Sequence, residues 1–197
     1  GCGSCPSSEV GARLFAQFLA EVALVIQIPP RALYFARAMD EAAQDALSLQ
    51  RLETDARPFA STVNDFFLFT VLGAVITHDE AVIYGCGDGV FEVNGERTVL
   101  KPGAGNEPAY LAYAAIRASL ARDPGPVEVK VHRRIPTDSL RSLVIGTDGA
   151  GEIPDFSEFM KPEYAENPSL LQKRLRGMGN HLHDDTTVVC VWNTRTP

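Results

Sequence analysis

The chain has 197 residues, 45% of them hydrophobic and 22% charged, with a net charge of −7. That length suits one domain with a substantial core, and the ordinary apolar content excludes a disordered polymer. The acidic balance weighs against a nucleic-acid partner, because phosphate backbones recruit Lys and Arg, and no apolar run reaches the roughly 18 residues of a membrane span.

In chain order, Val10, Leu14, Phe15, Phe18, Leu19, Val22 and Val25 recur at three- and four-residue steps, which predicts a first helix. Ser7 or Ser8 suits its cap, and Pro29 and Pro30 end it. A second helix follows, with Leu33, Phe35, Ala36, Met39, Ala43, Ala46 and Leu47 on one face, fading near Pro58. After Ser61 the period changes. Residues 66–76 form a long β-rich run, 81–84 another and 90–93 a third, and Asn94-Gly95 predicts a two-residue hairpin into 98–100. Residues 101–108 read as a loop, 110–120 lean to helix, 127–135 alternate like a strand, and 143–146 form a short buried one. A helix over 169–176 precedes a closing strand over 186–192. Helices first, then strands adjacent in sequence, favour an α+β fold with largely antiparallel sheets over a doubly wound one.

Of the four cysteines, Cys2 and Cys5 make a C-x-x-C pair, but a zinc site needs a second ligand pair and none is present. Cys86 and Cys190 lie in apolar strands, as small buried hydrophobes do. Reduced cysteines and a cytoplasmic location are expected. The sequence begins at Gly1 without an initiator Met, and no signal peptide is evident.

Three acidic turns follow apolar strands: Cys86-Gly87-Asp88-Gly89, Thr147-Asp148-Gly149-Ala150-Gly151-Glu152, and Asp184-Asp185 leading into Thr186-Thr187-Val188-Val189. Taken singly, an Asp-Gly pair is most simply a turn. Carboxylates at several strand ends can instead converge on one sheet edge, and Mg²⁺ and Mn²⁺ prefer such hard oxygen ligands. Neighbouring glycines let the backbone turn tightly beside an ion.

In this order the motifs resemble those of the type-2C metal-dependent serine/threonine phosphatases. Gly1-Cys2-Gly3-Ser4 is similar to the tail of that family's Asp-Gly-x-Gly motif, and residues 8–12 to the start of the helix after it. Residues 69–74 resemble its central strand, Gly87-Asp88-Gly89 its Gly-Asp-Ser turn, residues 147–152 its Asp-Gly-x-x-Asp element and residues 184–189 its terminal strand. The resemblance implies one phosphatase domain over residues 1–197. Its fold would be a sandwich of two antiparallel sheets with helix pairs outside (αββα). It implies two Mn²⁺ or Mg²⁺ ions sharing a water, with a third, looser ion. Asp148, Asp184 and the Gly1 carbonyl would be metal ligands, and Asp88 and Glu152, with Asp148, would serve the looser ion. No side chain beyond that water is assigned a catalytic role.

The sequence departs from the family at three places. The bridging Asp belongs immediately before Gly1, so it and its strand are expected upstream. Cys2 stands where many members carry a His proposed as general acid, and Asp185 replaces the usual Asn. His181-x-His183-x-Asp185 also offers the H-x-H-x-D opening of a metallo-β-lactamase zinc site, but Thr186 stands where a further His is needed and few residues remain. His78 and His132 are isolated and read as surface residues. The expected activity is hydrolysis of phosphoserine and phosphothreonine on proteins phosphorylated by a Ser/Thr kinase, with neither nucleic acid nor membrane as partner. The alternative is a phosphatase-like regulatory or scaffolding module without catalysis. Clustered carboxylates, which repel one another, favour the enzyme.

Overall fold

The computed structural model describes residues 8–25 and 59–193. The expected second helix, Gly1 and the Cys2–Cys5 pair lie outside them. The described chain packs as two compact units, one holding residues up to 75, 82–87 and 102–134, the other holding 76–81, 88–101 and 135 onward.

In the first unit, helix α1 spans Ser8–Val25, as its apolar spacing predicts. Phe15 is buried and stacks on Phe69 with ring centroids 5.3 Å apart, whereas Val10 and Leu14 of the same expected face are exposed. The β-rich run at 66–76 is a strand only over its second half, β1 (Val71–Ile76), and Phe59–Phe66 ahead of it is helix α2. The β-branched Thr62 and Val63 disfavour a helix locally. Burial of Val63 against Phe59, Ala60 and Phe67 outweighs that small propensity. Strand β2 (Glu80–Cys86) and β5 (Lys130–Pro136) complete a three-stranded sheet in the order β1-β2-β5. The segment at 110–120 is helical as α3 (Tyr113–Ile116) followed by a 3-10 turn, and its Tyr110, Tyr113 and Ile116 pack around Val63 and Leu68.

The second unit is built on a four-stranded antiparallel sheet in the order β4-β3-β6-β7. Here β3 is Gly89–Val93, β4 Glu96–Leu100, β6 Ser142–Gly146 and β7 Val188–Trp192. Asn94 and Gly95 take positive φ of 54° and 85°, as the predicted hairpin requires, and Val93 pairs with Glu96. Two short helices follow, α4 (Pro162–Glu166) and α5 (Pro168–Met178), the first of which has no periodic signature in sequence. Asn167 caps α5 by accepting from the Ser169 N–H at 3.2 Å. Leu171, Leu175 and Met178 turn inward onto a core of Val90, Val144, Ile153, Phe156 and Phe159. The expected α+β class with antiparallel sheets and helices is what the chain forms. No helix among the described residues is long and apolar enough to cross a membrane.

Candidate metal centre

The acids of all three turns belong to the second unit. Asp88 immediately precedes β3, the Asp148 turn follows β6, and Asp184-Asp185 lies ahead of β7. Because β6 pairs with both β3 and β7, with Gly146 opposite Val90 on one side and Val188 on the other, the register carries the three turns to one end of the sheet. Glycine makes this approach possible. A Cβ on Gly146 would stand 2.5 Å from that of Ala150, so only glycine lets residues 148–152 fold back as a 3-10 turn on the strand. A Cβ on Gly149 would meet the Asp185 and Asp184 carbonyl oxygens at 2.9 and 3.0 Å. The Asp148 turn therefore sits directly against the Asp184 turn.

Hydrogen bonds join the two. The Thr147 N–H donates to the Thr187 carbonyl at 3.1 Å, and the Thr187 N–H donates back to the Thr147 hydroxyl at 3.0 Å. That hydroxyl in turn donates to the Asp185 carbonyl at 3.1 Å. Farther along, Glu152 Oε2 accepts from the His183 N–H at 2.8 Å and lies 3.2 Å from His183 Nδ1. Asp148 Oδ1 accepts from the Gly149 N–H at 3.0 Å, and Asp184 Oδ1 from the Asp185 N–H at 2.7 Å, which orients each carboxylate on its own turn.

Asp88 differs from the other acids in being buried, at 7% exposure. Burial raises its pKa, the charge of Asp148 raises it further, a bond to its own backbone N–H opposes them, and Asp184 adds to the rise. Asp148, Glu152 and Asp184 are exposed. Hydrogen bonds from His183 hold the Glu152 carboxyl below its usual range.

Asp148 and Asp184 thus each lie within electrostatic reach of Asp88, and Glu152 is tied to the Asp184 segment through His183. Among the described residues no group of three or more His, Cys, Asp or Glu side chains is close enough together to hold an ion. The donor chemistry nevertheless fits a hard divalent cation, since every acid is an oxygen donor and a cation would offset the burial and the neighbouring negative charges that raise the Asp88 pKa. The Gly1 carbonyl lies outside the described residues. His181 and His183 are exposed, with His183 turned to Glu152. His132 corrects the expectation of a surface residue: it is half-buried, and burial lowers its pKa. Cys86 is buried with its Sγ 3.2 Å from the Ala109 carbonyl, and burial pushes the Cys190 thiol up to about 11. Sequence reasoning overlooked Thr147 and the Glu152–His183 contact. The available signal was a hydroxyl residue directly before Asp148 and another pair directly after Asp185.

The family model for protein phosphatase 2C matches residues 1–184. The chain belongs to the protein phosphatase 2C family. Among solved structures, a variant of a bacterial serine phosphatase is 11% identical and superposes with a TM-score of 0.58, covering 95% of this chain and 81% of its own. That likeness shows a shared fold. The phosphatase domain of the cell fate determinant SpoIIE from Bacillus subtilis, in crystals presoaked with Mn, is 13% identical with a TM-score of 0.33, covering 100% of this chain and 80% of that one. No curated protein matches the sequence.

Proposed function

We propose that the chain is a metal-dependent protein phosphatase that hydrolyses phosphoserine and phosphothreonine, with Asp148 and Asp184 holding Mn²⁺ or Mg²⁺ and Asp88 and Glu152 serving a looser ion. The observation that carries the reading is the convergence, at one end of the sheet, of the buried Asp88 with the Asp148 and Asp184 turns, which are hydrogen-bonded to each other. A buried carboxylate beside two further acids costs stability unless a cation joins them. A bound divalent cation supplies Lewis acidity, polarising phosphoryl oxygen and acidifying water. The chain's part is to gather carboxylates at one sheet end, fix each by its own turn, and leave Asp148 and Asp184 open to solvent, where a phosphoprotein side chain can reach them. Two of the carboxylates stand on turns locked against each other, so little reorganisation accompanies the reaction.

The test is phosphate release from phosphoserine, phosphothreonine and phosphotyrosine peptides by the wild type and by Asp148→Asn and Asp184→Asn. Turnover of the first two substrates should fall about a hundredfold or more in each variant, since losing even a group that only orients a metal ligand costs roughly 10–100-fold. An amide binds a divalent cation far less well than a carboxylate. Near-normal rates in Asp184→Asn would remove that residue from the site. No turnover by the wild type on any peptide would favour a regulatory module instead.

A further inference from the structure

We infer that Thr147 is the positioning residue of the metal centre, its hydroxyl acting as the pin that holds the Asp148 turn and the Asp184 turn at a fixed separation. This rests on the reading of the two acids as metal ligands. The hydroxyl is used in both directions, accepting from the Thr187 N–H at 3.0 Å and donating to the Asp185 carbonyl at 3.1 Å. The two partners stand on either side of Thr186, so one oxygen fixes the path of the chain as it leaves Asp184 toward β7. Thr147 is itself the residue before Asp148, so the same oxygen fixes where that turn begins. The backbone bond from Thr147 N–H to the Thr187 carbonyl, at 3.1 Å, closes the arrangement.

Two further contacts make the pair of turns behave as one body. Gly149 leaves no room for a side chain between itself and the carbonyls of Asp184 and Asp185. At the far end of the turn, Glu152 takes the His183 N–H at 2.8 Å, immediately before Asp184. The acids therefore owe their spacing to a polar network around Thr147 and Glu152 rather than to sheet pairing alone, because ladder pairing ends at Gly146 and Val188. Groups that orient metal ligands in this way commonly set affinity by roughly 10–100-fold without touching the ion.

The experiment is calorimetric Mn²⁺ titration of the full-length protein as wild type, Thr147→Val and Thr147→Ser. Valine keeps the shape and loses the hydroxyl, whereas serine keeps the hydroxyl. The expected result is at least about a tenfold weaker Kd for valine and a near wild-type Kd for serine. Equal Kd for valine and wild type overturns the inference while leaving the metal reading intact, and so does a serine variant as weak as valine. A wild type that binds no Mn²⁺ overturns both. Amide hydrogen exchange on the wild type gives a second reading that needs no variant to fold. By linkage, Mn²⁺ held by both turns must strengthen the bonds that join them. Exchange at the Thr187 and His183 amides should slow severalfold at saturating Mn²⁺, and unchanged exchange there would count against the pin.

Discussion

Asp88 places a buried carboxyl where two other acids act on it, and its protonation should be visible in stability. Its pKa in the folded chain is raised above the ordinary 3.8. A raised acid favours the folded state in its protonated form, so this contribution is present at low pH and is lost as pH rises through the folded pKa. In metal-free protein, Asp88→Asn should therefore raise the melting temperature near neutral pH, and the gain should shrink on acidification toward the carboxylate range. The difference between variant and wild type is the quantity to follow. Glu152 and Asp155 have lowered pKa values and impose the opposite slope on both proteins. With Mn²⁺ present the order should reverse, because the variant gives up a ligand. A variant no more stable than the wild type without metal would show that Asp88 carries no electrostatic cost.

At the scale of elements, the β3-β4 hairpin does more than reverse the chain. Asn94 Oδ1 accepts from the N–H groups of Arg141 and Ser142 at 2.7 and 3.1 Å, and its amide donates to the Ser139 carbonyl at 2.8 Å. The turn residue thereby ties β3 to the start of β6, the strand that delivers Asp148. Asn94→Ala removes these bonds and places alanine at φ 54°, so it should cost about 2–4 kcal/mol. Urea denaturation should show a lower midpoint with an unchanged slope. The hairpin, β6, β7 and α5 could be read from sequence because their signals are local: Asn-Gly, a short apolar run, a helical period ahead of it. Helix α2 could not, since what makes it helical is the burial of Val63 among residues distant in the chain, such as Tyr110 and Ile116. The three acids were likewise readable as turns at strand ends. Their mutual reach depends on the pairing of β6 with β3 and β7, and the joining role of Thr147 depends on a 3-10 turn that no sequence period announces.

Considered as a whole molecule, the chain is acidic, at −7, and is expected to act on substrates that are themselves anionic. Long-range attraction therefore works against it, and on the proposed reading cations held at the acidic end of the second unit's sheet would supply the local attraction for a phosphoryl group. Membership of the protein phosphatase 2C family supports phosphatase chemistry. The most direct test follows phosphate release from a phosphothreonine peptide by the full-length protein, first in excess EDTA and then as Mn²⁺ or Mg²⁺ is restored. No turnover is expected with chelator, and saturable recovery with either ion. Undiminished turnover in excess EDTA would contradict metal dependence, because Asp88, Asp148 and Asp184 would then be dispensable as a cation site.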